Sequence, residues 1–154
     1  MFRYCRVLLS VVCAVPICLL AIRAGAGNLN QNVLHVRVIG LRNSKGYELC
    51  TLYNSTGANG FPGDDAKSLR TVRARIESDS ATCDFAGIPA GEYAIVTFHD
   101  ENANGEFDRN MLGLPQEQYG FSNSLRPLFS APKFQEAAFQ FRGGEQEVTV
   151  RLAN

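Results

Sequence analysis

From Val33 onward the chain alternates apolar and polar side chains with a period of two rather than the 3.6-residue repeat of a helix. Leu34, Val36 and Val38 share one face of a segment whose other face carries His35 and Arg37, the pattern of a half-buried strand. The same parity predicts strands over 47–53, 71–77, 81–86 and 92–99. In the second of these, 71–77, Val72, Ala74 and Ile76 oppose Arg73 and Arg75. The 92–99 run is the most continuously apolar and is therefore expected at the centre of a sheet. Two further runs, 137–142 and 145–152, flank Gly143-Gly144, a strong hairpin signal. Residues 64–69 are expected to make at most one helical turn.

Seven such strands, polar turns between them and no amphipathic helix predict an all-β fold, an antiparallel sandwich of two sheets; a closed barrel is the alternative. Between His99 and Ala137 no strand pattern is seen. Irregular stretches that long are usually functional or disordered. This one contains Phe107, Met111, Leu112, Leu114, Tyr119, Phe121, Leu128, Phe129 and Phe134, too much apolar surface to stay solvated. It is expected to fold back over one end or face of the sandwich.

The amino terminus changes the picture of where this domain works. Arg3 and Arg6 precede an apolar run from Val7 to Ile22 and then Ala24-Gly25-Ala26, the order of a secretory signal. Residues 1–26 are read as a signal peptide and 27–154 as one domain outside the cytoplasm, periplasmic or extracellular. An uncleaved anchor over residues 7–22, with Arg23 directly after it, is the alternative and the only expected contact with a membrane. Removing Arg3, Arg6 and Arg23 lowers the basic count from 15 to 12 against 15 acidic residues. A mildly acidic chain lacks the basic stripe that a nucleic-acid binder needs.

Of five cysteines, only Cys50 and Cys83 remain after residue 26. Cys50 shares parity with Leu52 and Cys83 with Phe85, so both are expected to face inward and, in an oxidising compartment, to pair. Such a bridge contributes about 3–4 kcal/mol in the chain-entropy model.

The run from Ile88 through Phe98-His99-Asp100 to Asp108 continues into Leu112-Gly113-Leu114-Pro115, then Tyr119-Gly120-Phe121-Ser122-Asn123 and Pro132-Lys133-Phe134. In that order these motifs resemble a bacterial exported family known as domain of unknown function 2141, over nearly all of the chain after Val33. The resemblance implies a transthyretin-like or prealbumin-like sandwich. It brings no activity with it.

Candidate chemistry is sparse. No phosphate loop, zinc helix or Cys-x-x-Cys pair is present. A serine hydrolase on His99, Asp100 and Ser122 or Ser124 lacks the Gly-x-Ser-x-Gly elbow, so no enzyme is expected. Asp100, Asn102, Asn104, Glu106 and Asp108 recur at alternate positions around Gly105, as oxygen ligands do in an EF-hand-like loop. They form a candidate site for a structural Ca²⁺. The twelfth position, normally a bidentate Glu, is Met111, so affinity is expected in the range of about 10⁻⁴ to 10⁻³ M. The competing expectation is a turn whose side chains cap their own backbone amides. A second candidate is a recognition surface in 109–136, with Tyr119, Phe121, Asn123 and Arg126 meeting an extracytoplasmic protein, glycan or small ligand; there the alternative is a mini-core that pins the loop. Amino-terminal sequencing of protein from an export-competent host is expected to begin at Gly27, and an intact amino terminus in the membrane fraction would establish the anchor instead.

Overall fold

The computed structural model describes residues 32–127 and 130–153. The signal segment 1–26, the anchor alternative 7–22, Leu128 and Phe129 lie outside the described residues. Two sheets pack face to face. Their strands are β1 Val33–Ile39, β2 Tyr47–Asn54, β3 Arg70–Ala74, β4 Ile76–Glu77, β5 Ser80–Ala86, β6 Gly91–Asp100, β7 Tyr119–Phe121, β8 Phe139–Phe141 and β9 Glu145–Arg151. One sheet has the order β4-β5-β1-β9, and the other runs β3-β2-β6-β7 with β8 also paired to β6. A single helical turn, α1 Phe134–Ala137, precedes β8. Another short turn of 3₁₀ type covers Asp65–Lys67, inside the segment expected to make one.

The expected parity is the observed one. Leu34, Val36 and Val38 are fully buried from β1 and meet Cys50, Leu52, Cys83, Phe85 and Ile95 in the interior between the sheets. Burying a side chain of this size removes enough apolar surface to contribute about 1.5–3 kcal/mol. Cys50 on β2 and Cys83 on β5 are fully buried and joined by a disulfide with a Cα–Cα separation of 6.3 Å. The bond ties one sheet directly to the other.

Three expectations change. The run expected as one strand over 71–77 divides at Arg75: β3 pairs with β2 in one sheet and β4 with β5 in the other. Ile76 lies opposite Ala81 and Val72 opposite Cys50. Since each sheet turns its inner face to the same core, the apolar alternation continues through the switch and conceals it. Gly143-Gly144 does not close a hairpin. β8 pairs with β6, whereas β9 pairs with β1, and that pair is parallel. Both glycines have positive φ, +85° and +72°, so the chain does reverse there, but it crosses between sheets. Finally, the stretch after His99 is not wholly irregular, because Tyr119–Phe121 forms β7 against Val96–Phe98. Among the described residues nine strands with one parallel pair therefore build the expected sandwich in place of seven antiparallel ones.

β6 is the centre of its sheet, as its apolar run predicts. β2 covers one edge from Tyr93 to Asp100. The other edge is shared end to end by β8 at Gly91–Tyr93 and β7 at Val96–Phe98. In the gap between them the Ile95 N–H donates to Ser122 Oγ at 3.0 Å, and Ser122 Oγ donates to the Ala137 carbonyl at 2.5 Å.

One interior group is out of keeping with an apolar core. Glu48 is fully buried, its Oε1 accepting from Thr97 Oγ1 and its Oε2 without a partner. Burial, offset in part by the Thr97 hydrogen bond, pushes its carboxyl up to about 8. A carboxyl whose folded pKa exceeds its unfolded one weakens the fold as pH rises from about 4.5 to about 8. Equilibrium unfolding of wild type and Glu48→Gln across this range is expected to show their difference moving in favour of the variant by about 3–5 kcal/mol; parallel pH profiles would show that Glu48 does not titrate in this way.

Candidate functional site

The functional geometry is built at one end and on the outer face of the five-stranded sheet. β6 ends in Asp100, which is fully buried. Its Oδ1 accepts from the Asn104 N–H at 3.0 Å and its Oδ2 from the Gly105 N–H at 2.9 Å, so the loop curls back over the strand end. Gly105 has φ +80°, a conformation that side-chain-bearing residues rarely adopt. Gly46 gives room for this corner: a Cβ there would stand 1.8 Å from the Asp100 carbonyl oxygen.

The remaining loop side chains serve as caps. Asn102 Oδ1 accepts from Asn104 N–H at 3.0 Å and Asn104 Oδ1 from Glu106 N–H at 2.8 Å. The amide groups of Asn102 and Asn104 donate to Asp108 at 2.7 Å and 3.2 Å. This is the self-capped turn that competes with the cation reading. Among the described residues no three of His, Cys, Asp and Glu are grouped as a ready-made metal cluster. For a cation to replace the amide donors at Asp108, Asn102 and Asn104 would have to present their oxygens instead, a change reached by rotating each amide half a turn.

Glu117 is the residue that local spacing missed. It lies beyond the EF-hand-like frame, is only 7 % exposed, and accepts from both ends of the loop, from Glu101 N–H at 3.3 Å and Asp108 N–H at 3.1 Å. Burial first, and then the charges of Asp108 and Asp100, raise its carboxyl above the usual range. Among the described residues Asp100, Asp108 and Glu117 take part in no ion pair, so their mutual repulsion is relieved only by amide hydrogen bonds.

Beside this loop the described residues leave the outer face of the sheet open. A groove of about 700 Å³ runs over β2, β6 and β7, walled by Gly105, Glu106 and Arg109, by residues 113–115, by part of the 62–65 turn and by Pro127, Ser130 and Ala131. Its floor carries a row of rings, with centroids 5.3 Å apart from Phe98 to Phe107, 5.8 Å from Phe107 to Tyr119 and 5.7 Å from Tyr119 to Phe121. The Arg109 guanidinium lies 4.9 Å from the centre of the Phe107 ring. Phe121 is itself buried and leads to Phe61, which in turn packs near Tyr53 and Phe134. The segment thus supplies both an open row and a mini-core.

The four residues expected to recognise a ligand are accordingly divided. Tyr119 and Phe121 line the groove. Asn123 does not: its amide donates to the Glu136 and Ala138 carbonyls, both at 3.1 Å, and its φ is +60°, so it holds the excursion that ends in α1. Arg126 lies in a smaller hollow near Pro132 and Glu136. Nor do His99 and Ser122 share a hydrogen bond. His99 Nε2 meets the Lys45 carbonyl at 2.8 Å, and Ser122 is fully buried in its bridging role.

Two packed sheets joined by an interior disulfide, with a loop-walled aromatic groove on one outer face, define a small β-sandwich domain. The chain belongs to a bacterial family described as uncharacterized protein conserved in bacteria (DUF2141), whose pattern it matches over residues 36–149. No curated protein and no solved structure matches it. Ser122→Ala is expected to destabilise the domain by about 1–3 kcal/mol, because the Ile95 N–H would lose its only bridge in a buried gap; chemical denaturation showing no loss would remove Ser122 from this role.

Proposed function

We propose that the protein is an exported, non-catalytic binding module that offers the groove on its five-stranded sheet to an extracytoplasmic ligand. The observation that carries this reading is the row of half-buried rings that the described residues leave open on a sheet face, where a purely structural role would favour closure. Its volume falls within the range of small-molecule sites, and its mix of apolar floor and few polar walls is the usual one. The secretory pattern and the interior disulfide support the compartment. An environment-sensitive apolar dye is expected to bind the native domain and to lose that binding in Phe98→Ser with its unfolding transition retained. A native wild type that takes up no dye would argue against an accessible groove.

A second reading concerns Ca²⁺ at residues 100–108, and the observation that favours it is the accumulation of Asp100, Asp108 and Glu117 without a neutralising side chain. Glu117 offers the additional carboxylate that Met111 cannot supply. Bound there, Ca²⁺ would be structural, holding the wall formed by residues 105–107 against the groove. At 10 mM Ca²⁺ and a Kd near 1 mM, linkage contributes about 1.4 kcal/mol, a rise of roughly 5 °C for a domain of this size. Thermal unfolding with calcium and with chelator is expected to show that rise in wild type and its absence in Asp100→Ala, Asp108→Ala and Glu117→Gln. No calcium response in wild type would leave the loop a self-capped turn.

A further inference from the structure

We infer that the groove is selective for an organic cation, a ligand carrying an ammonium group on an apolar body. The inference rests on the reading of the groove as a binding site and specifies its ligand by chemistry. Three features converge. The floor is built of aromatic rings, Phe98, Phe107 and Tyr119 being half-buried, and the face of such a ring carries negative potential that attracts a cation. One of these rings already holds a cation of the chain itself, the Arg109 guanidinium over Phe107. That side chain is exposed and also donates a 3.1 Å hydrogen bond to the Gly113 carbonyl; it sits over Phe107, and among the described residues no cation lies over Phe98 or Tyr119.

The third feature is charge. Among the described groove-lining residues the acids are Asp65 and Glu106 and the only Lys or Arg is Arg109; Arg73, engaged over the Tyr47 ring, reaches the Gly105 edge of the wall. The Glu106 carboxylate is exposed and without a partner among the described residues, while Asp65 accepts from Tyr53 Oη at 3.1 Å. Behind the wall lie three further carboxyl groups, those of Asp100, Asp108 and Glu117, held around the loop by its amides. An anionic ligand would meet this field unfavourably, and a neutral one would gain nothing from Glu106. An ammonium placed over Phe98 and Tyr119 gains from the rings and from the free carboxylate together. In an EF-hand-like loop the residue at the place of Glu106 contributes its backbone carbonyl, so its side chain stays free whether or not Ca²⁺ is bound.

Choline and its neutral isostere 3,3-dimethyl-1-butanol separate charge from shape. Titrated into the mature domain under NMR observation, with calcium and with chelator, choline is expected to shift the signals of Phe98, Phe107 and Tyr119 and to bind about tenfold tighter than the alcohol. Glu106→Gln is expected to narrow that gap, and added salt to narrow it further because the site is open. Phe107→Ala, a loop substitution that leaves the interior core in place, is expected to weaken choline with the unfolding transition retained. Equal binding of both compounds would overturn the selectivity while leaving an apolar groove. Failure of choline to shift these rings would also overturn it, and dye binding by the same sample would show whether the groove reading falls with it.

Discussion

The backbone of β6 has to be hydrogen-bonded along two edges in the middle of a sheet, and the way its second edge is completed shapes the rest of the molecule. Buried N–H and C=O groups cannot be left without partners. β2 meets one edge continuously, but the other is made from two three-residue strands that leave a gap at Ile95. A serine hydroxyl fills that gap by accepting from one strand and donating to the next segment. Because β7 and β8 occupy the same edge, the chain between them must leave the sheet and return. Its excursion packs Phe134 and Ala137 against Tyr53 and Ala94, covering one part of the outer face, while its residues Pro127, Ser130 and Ala131 line the aromatic part.

The acidic corner follows from the same arrangement. β6 carries Asp100 to the end of the sandwich, and the return toward β7 carries Glu117 back to it. Two poorly solvated carboxylates and Asp108 are thereby held near one another, and Glu48 lies within electrostatic reach of Glu117. Such an arrangement costs stability unless amides, protons or a cation offset it. Here amide donors provide the first compensation, and the same groups make the loop responsive to whatever positive charge approaches. The groove inherits part of this field because residues 105–107 belong to the loop and to its wall.

Legibility differed between levels. The inward faces of β1, β2 and β5 followed from alternation, including the positions of Cys50 and Cys83, and the central place of β6 followed from its continuous apolar run. The loop at 100–108 was visible as an oxygen-rich turn around Gly105, and its two competing behaviours were visible with it. Tyr119-Gly120-Phe121 was hard to recognise as a strand because three residues barely register a period, although its two aromatics do alternate. Asn123 looked like a recognition residue for want of any local sign that its amide reaches Glu136 and Ala138.

What the sequence by itself determined is which face of each segment turns inward and where the chain must bend, because side-chain periodicity, glycine and proline act within a few residues. Tertiary structure alone decided which edge each strand occupies, why β3 and β4 part at Arg75, why β9 runs parallel to β1, and why Ser122 and Glu117 are structural partners of distant amides. The physical reason is that parity specifies a face and not a neighbour. The neighbour is selected by closing every backbone hydrogen bond across the whole domain at once, through contacts between residues far apart in the chain.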